Sequence, residues 1–267
     1  MLFMLKDKLY IHDRMFSHAK SSSWYNEPEL FEWVRKYDEE HLILTDFSLT
    51  EVDNFNNPKK YAWLLESPDI TPHAYEYITK NYDKFDLIFT FSKELLEISD
   101  KFVLIPYGGC WIDWEERMIH VKSKEVSIIL SSKKTTTGHR LRHTVLETFP
   151  SLESFGFNNP IEKKIRALKD YRFTIVIENC QKDYYFSEKL IDSFMTGTIP
   201  IYWGCPSIGK FFDTEGMLIF DNLEELEVIL KSLNNELYES KLNSIKNNFC
   251  EAKKYLVADN IIYSKIK

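Results

Sequence analysis

Short apolar runs recur along the chain, and between many of them the apolar residues fall at helical spacing. The runs "KLYIH" (8–12), "HLILTDF" (41–47), "YAWLLE" (61–66), "DLIFTF" (86–91) and "FVLIPYG" (102–108) predict buried strands. Between the first two, "EPELFEWVRKY" (27–37) predicts a helix with Pro28 in its first turn. "TPHAYEYITKNY" (71–82) predicts a second, with Thr71 as N-cap and Pro72 at N1. "SKELLEI" (92–98) predicts a third, opened by Ser92. The charged stretch "DWEERMIHVKSKE" (113–125) interrupts this pattern and marks a boundary.

A second series follows. "VSIILSS" (126–132) predicts a strand, and the polar loop "KKTTTG" leads into a helix, "HRLRHTVLETF" (139–149). "IEKKIRALKDY" (161–171) predicts another helix, and "RFTIVI" a strand. "SEKLIDSFM" (187–195) predicts a helix ended by Gly197, followed by the strand "TIPIYW". "DNLEELEVILKSLN" (221–234) predicts a helix with Asn222 as N-cap and Glu225 at N3, a capping-box arrangement. The remainder is expected to be helical. Strands alternating with helices predict α/β architecture on parallel sheets. Two such series predict two Rossmann-like domains, over 1–121 and 122–267, facing each other across a cleft.

Composition narrows the function. The chain has 267 residues and a net charge of −7, from 34 basic against 41 acidic side chains. A nucleic-acid-binding surface calls for the opposite sign, so no nucleic-acid partner is expected. No run reaches the roughly 18 uncharged apolar residues of a membrane span. The start lacks the h-region of roughly 7–15 residues found in a signal peptide, which points to a cytoplasmic location. The four cysteines show no CxxC pair or zinc-ligand spacing, as expected of reduced thiols. A G-x-G-x-x-G turn is absent, against a nucleotide-dependent oxidoreductase.

Parallel sheets bind ligands beyond the carboxyl ends of their strands. Two loops of the second series occupy that position. The first, "SSKKTTTGHRLRH" (131–143), carries Lys133, Lys134, Arg140 and Arg142 and no acid. It reads as an anion site or as a solvated basic face. The second, "ENCQKDYYFSEKLIDSF" (178–194), places Lys189 in the first turn of a helix. A cation there opposes the helix dipole, and a bound phosphate would reverse that penalty. Glu188 beside it would suit ribose hydroxyls. On the residues alone this reading stays balanced against a Ser187 cap with Lys189 exposed. His139 and His143 lie four apart, but no further residues complete a metal site.

The stretch "YRFTIVIENCQKDYYFSEKLIDSFMTGTIPIYWGCPSIGKFF" (171–212) resembles the donor-binding segment of the family 10 glycosyltransferases, the α-1,3-fucosyltransferases. Their pattern is an aromatic strand, Glu-Asn, a Tyr, Thr-Glu-Lys or similar, an apolar helix, and Ile/Val-Pro-Ile/Val-Tyr-x-Gly. This chain has "FSEK" where the family often has "VTEK". The likeness extends more weakly to "SSKKTTTGHRLRHTV" and "SFG", and the first half matches in outline.

The resemblance implies a GT-B-like fold and inverting transfer of fucose from GDP-fucose to a hydroxyl of a glycan acceptor. It places Lys189 at a phosphate, Glu188 at the ribose, and Tyr185 and Asn179 on the rest of the nucleotide. Arg142 matches a family arginine at the phosphates, with Arg140 as the alternative. Glu66, in "WLLESP", matches the family's general base. No cofactor is implied, and the chain has no Asp-x-Asp pair of the kind that holds a metal on the diphosphate of many other glycosyltransferases. The expected setting is a soluble oligosaccharide or the inner face of a membrane. Transfer of another nucleotide sugar, or nucleotide and glycan binding without turnover, are the alternative readings.

Overall fold

Successive residues of a strand point to opposite faces, and in this chain both faces of the strands are apolar. That calls for sheets covered on both sides. The computed structural model describes residues 6–14, 20–23, 26–35 and 40–267, and the chain divides into two units. The first unit, 1–107 with 257–267, is built on β1 (Asp7–His12), β2 (Phe31–Val34), β3 (His41–Thr45), β4 (Lys59–Trp63), β5 (Leu87–Thr90) and β6 (Phe102–Leu104). These described strands pair in the order β2-β1-β3-β4-β5-β6, and every pairing is parallel. On one face Leu42, Leu44, Ala62 and Ile88 pack with α1 (Pro72–Asn81) and α2 (Lys93–Leu96) through Ala74, Ile78 and Leu95. On the other, Leu9, Ile11, Ile43 and Trp63 form a second core.

The second unit, 108–256, carries β7 (Lys124–Leu130), α3 (Thr137–Thr148), β8 (Glu153–Gly156), β9 (Tyr171–Ile177), α4 (Glu188–Met195), β10 (Ile199–Trp203) and β11 (Leu218–Ile219). It continues through α5 (Leu223–Ser232), α6 (Asn235–Ser240) and α7 (Leu242–Ala252). Its strands run β11-β10-β9-β7-β8, again parallel. Leu190, Ile191 and Phe194 of α4 pack on Val176 and Tyr202, while Ile175, Ile177 and Ile201 face the opposite core with Leu226 and Ile245. The α/β class and the two parallel series expected from the sequence are both present.

Several local expectations are corrected. The described part of 27–37, residues 27–35, is not a helix. Phe31 and Trp33 are buried while Glu32 is exposed, a period of two, and the described part pairs with β1 as β2. A helix would have buried Leu30, which is 58% exposed. Residues 36 and 37 lie outside the described residues. The segment 161–171 makes only a 3-10 turn at Lys164–Ala167. Its carbonyls are drawn to side chains instead: Ser127 donates to Ala167 O at 2.6 Å, and Lys122 donates to Leu168 O and Lys169 O. The strand from 41 stops at Thr45, and a 3-10 segment, Asp46–Asn54, follows. Thr71 precedes α1 as expected, but its hydroxyl makes no cap bond and donates to Asp46. The short edge strand β8 was not anticipated.

The units divide at Tyr107/Gly108 rather than at 121/122. The reason is that Cys110 and Ile112 are buried in the second unit's core beside Phe186 and Leu190. Gly108, at φ +58°, fits there because a Cβ would lie 2.6 Å from Tyr255 O. The chain returns to the first unit with α8 (Ala258–Ile266), whose Ala258 and Ile262 complete the second of its cores. Among the described residues no helix is long and apolar enough to cross a membrane.

Asp259 ties α8 down. Its fully buried carboxylate accepts from Ser22 N at 3.2 Å, Ser22 Oγ at 2.6 Å and Trp33 Nε1 at 2.6 Å. Asp259→Ala leaves those donors buried and unpaired. The expected loss is about 3 kcal/mol of stability, read from the urea midpoint by circular dichroism. An unchanged midpoint would show that the carboxylate is not what holds α8 in place.

Candidate functional site

The carboxyl end of β9 and the start of α4 are joined by a loop that one buried acid closes. Glu178 is fully buried, accepts from Ser187 N at 2.9 Å and takes the Ser187 hydroxyl at 2.5 Å. Burial pushes its carboxyl above the ordinary range, and the ammonium of Lys189, 3.8 Å away, opposes that shift. Ser187 is also the α4 cap, accepting from Lys189 N. Within the loop, Tyr184 sits at φ +64°, a conformation costing a non-glycine residue about 1–3 kcal/mol. Its N–H is held by Ser207 Oγ at 3.0 Å. The next residue, Tyr185, is buried.

α3 begins against the same strand end. Gly138 N donates to Asn179 O at 3.0 Å, and a Cβ on Gly138 would lie 1.7 Å from Glu178 O. Only glycine lets the helix approach so closely. Thr136 caps α3 by accepting from His139 N, while His139 Nδ1 accepts from Thr136 N. One turn on, the buried Arg142 guanidinium donates to Ile177 O at 2.9 and 2.5 Å and to Asn179 Oδ1 at 3.0 Å. Burial lowers its pKa, while Glu178, Glu188 and Tyr185 act to raise it. Arg140 instead lies exposed on the loop carbonyl of Thr135 at 2.9 Å.

The structure therefore gathers Arg142, Asn179, Tyr185, Glu188 and Lys189 around one strand end, and Arg140 stands apart. Lys189 Nζ lies 3.0 Å from Ser187 Oγ and 3.3 Å from Glu188 Oε1. Its charge at a helix start is thus balanced by carboxylates, which the sequence did not reveal. Lys164 was missed altogether. It bridges Glu188 at 3.2 Å and Asp192 at 2.9 Å, with the Trp111 ring 4.3 Å away. Asp192 Oδ1 takes Trp111 N at 2.6 Å. Against a burial effect of opposite sign, Lys164 and Lys189 hold the Glu188 carboxyl below its usual range. Of the tryptophans at 24, 33, 111 and 114, Trp33 is buried in the first unit, Trp111 and Trp114 are exposed, and Trp24 lies outside the described residues.

Glu66 belongs to the first unit, three residues beyond β4 in a turn. Its N–H is 3.4 Å from Asp46 Oδ1, and its carbonyl accepts from Tyr75 OH at 2.8 Å.

No protein-family profile matches the chain. An α-(1,3)-fucosyltransferase FucT of Helicobacter pylori is 34% identical over 102 residues, a match covering 34% of this chain and 21% of that enzyme. The 4-galactosyl-N-acetylglucosaminide 3-α-L-fucosyltransferase 9 of Mus musculus is 25% identical over 258 residues, covering 84% of this chain and 67% of the mouse protein. A crystal structure of an α1,3-fucosyltransferase with GDP superposes with a TM-score of 0.60 at 17% identity, over 97% of this chain and 94% of that one. The chain is thus similar in sequence to α-1,3-fucosyltransferases, over part of its length at 34% identity and over most of it at 25%. At 17% identity the structural likeness is one of fold, and it agrees with the GT-B-like class expected from the sequence. The first of these relatives is matched over about a fifth of its length.

One titration follows from the geometry. Burial first, then the charges of Arg142 and Lys189, pull the pKa of His139 from 6.5 down to about 4. The unfolded chain therefore binds the proton first, and stability falls as pH drops from about 6.5 towards about 4. His139→Gln keeps an acceptor for the cap without titrating. Urea unfolding at pH 7 and pH 5 is expected to show a loss of order 1 kcal/mol in the parent that the variant lacks. An equal loss in both would contradict the neutral, buried imidazole.

Proposed function

We propose that this chain is an inverting glycosyltransferase that moves fucose from GDP-fucose to a hydroxyl of a glycan acceptor. The observation that carries the reading is the convergence of Arg142, Asn179, Glu188 and Lys189 where β9 ends and α4 begins. Ligands of parallel α/β sheets bind at such strand ends, and anions favour helix N-termini. Names of relatives support fucose as the sugar, and the GDP in the solved neighbour supports a guanosine nucleotide.

The acceptor oxygen attacks the anomeric carbon of the sugar and gives its proton to the Glu66 carboxylate. The bond from that carbon to the diphosphate breaks, and GDP departs with the electron pair. Lys189 and Arg142 meet the charge that develops on it, Glu188 holds the ribose, and Tyr185 and Asn179 hold the rest of the nucleotide. These cations do the work given to a metal ion elsewhere, so transfer proceeds with chelator present. Preorganised charge of this kind acts where the transition state needs it.

The test is GDP release from GDP-fucose in EDTA, with a 4-galactosyl-N-acetylglucosaminide as acceptor and UDP-sugars as controls. Turnover of a UDP-sugar alone would remove fucose from the reading. Nucleotide binding without any turnover would make the chain a binder. Lys189→Ala is expected to weaken GDP binding roughly 10–100-fold in titration calorimetry, the worth of one charge-assisted hydrogen bond. Unaltered GDP affinity would sink its phosphate role. Glu66→Gln is expected to keep GDP affinity and to lose about 10²–10⁴-fold in transfer. Full transfer by that variant would remove Glu66 as the base.

A further inference from the structure

Asp46 is an unusual residue for its place. It is 1% exposed, directly follows β3, and has φ +30°, in the left-handed region that a non-glycine residue enters at a cost. Its carboxyl spans to the turn after β4. Oδ2 takes Leu65 N at 3.2 Å, and Oδ1 takes Glu66 N at 3.4 Å and the Thr71 hydroxyl at 3.3 Å. Three bonds to one turn, from a strained backbone, fix the segment that carries Glu66. The hydroxyl that a cap would have used for α1 is spent on this contact.

We infer that Asp46 is the positioning residue of the base, anchoring the Glu66 turn and coupling its own charge to that of Glu66. The inference rests on the proposed role of Glu66. Burial and then the Glu66 charge raise the Asp46 pKa to about 8. Other charged groups around this segment have partners of their own. Lys60 of β4 bonds the Val52 carbonyl, Glu51 pairs with His12 and Arg14, Asp53 with Lys84, and Glu76 of α1 with Lys80. These elements also carry His41 and His73, Lys59 paired with Asp86, and Asp69 in the turn itself. With that pKa the neutral form of Asp46 is favoured at pH 7.

The coupling has a direction. Proton uptake by Glu66 removes the repulsion between the two carboxylates, so an ionised Asp46 favours that uptake. Transfer is then expected to step upward as pH rises through about 8, where Asp46 ionises. A purely structural anchor would show no such step.

The experiment measures kcat and KM from pH 6.5 to 9.5, with GDP-fucose and a 4-galactosyl-N-acetylglucosaminide acceptor, for the parent, Asp46→Asn and Glu66→Gln. The parent is expected to gain about tenfold in kcat across the step, the rate equivalent of one pKa unit. Asp46→Asn is expected to lose that step and to keep the KM for GDP-fucose. Its fold is checked by the urea midpoint, and the parent profile is decisive even where the variant does not fold. A parent profile flat through pH 8, or a step that survives in Asp46→Asn, would overturn the inference while Glu66→Gln remains inactive. Full transfer by Glu66→Gln would instead overturn the reading of Glu66 as base, a separate result.

Discussion

The second unit depends on one closure: Glu178 at the end of β9 holding both the N–H and the hydroxyl of Ser187. A carboxylate buried completely is costly unless its oxygens are used, and here both are. The bond pair turns eight intervening residues into a fixed loop, so Tyr185 is buried and α4 starts at a set angle. The same acid's carbonyl is the floor against which Gly138 of α3 lies. Two helices and a strand are thus registered by one residue. The candidate site is the space those three elements share, and Asn179 and Arg142 are placed by the same junction.

The first unit uses a parallel device. Asp46 closes the β3 end onto the turn after β4, as Glu178 closes β9 onto α4. In both cases an acid just past a strand's carboxyl end accepts backbone N–H: Glu178 from the start of α4, and Asp46 from the turn after the neighbouring strand β4. Parallel sheets leave such N–H groups unpaired at that end, because the ladder has stopped and the helix has not begun. A buried carboxyl group satisfies more than one donor at once. The difference lies in compensation. Lys189 stands 3.8 Å from Glu178, whereas the charge acting most on Asp46 is the like charge of Glu66.

Much of this architecture was legible in the sequence because it is written in short-range pattern. β3, β5, β7, β9 and β10 each hold a short apolar run, and α4 and α5 announce themselves by Ser187 and Asn222. What failed failed for tertiary reasons. Over 27–37 the apolar spacing fits both periods, and pairing with β1 decides for the strand. Over 161–171 the helix loses its carbonyls to Ser127 and Lys122, which are distant in sequence. The gathering of Arg142, Asn179, Tyr185, Glu188 and Lys189 came from resemblance to known motifs rather than from spacing. Lys164 and Asp192 carried no local signal, since each works through a partner brought near by folding. Asp46 did have one hint available, an acid placed where an apolar strand ends.

The charges around α4 also explain why a lysine is tolerated in its first turn. Arg142, Lys164 and Lys189 face Glu178, Glu188 and Asp192, three cations against three acids. Burial raises the pKa of Glu178 and Asp192, while the two lysines that share Glu188 hold its carboxyl below the usual range. On the proposed reading, a diphosphate would compete with Glu188 for Lys189. On that reading Lys164 would lower the cost of the exchange for Glu188. It bonds Glu188 and Asp192, and Asp192 in turn accepts from Trp111 N, so Glu188 would stay paired with Lys189 on a phosphate. A site with one lysine would have to strand a buried carboxylate to bind its ligand, at a cost of several kcal/mol. On the proposed reading, the second lysine, invisible in the motif, would free the first to meet a ligand.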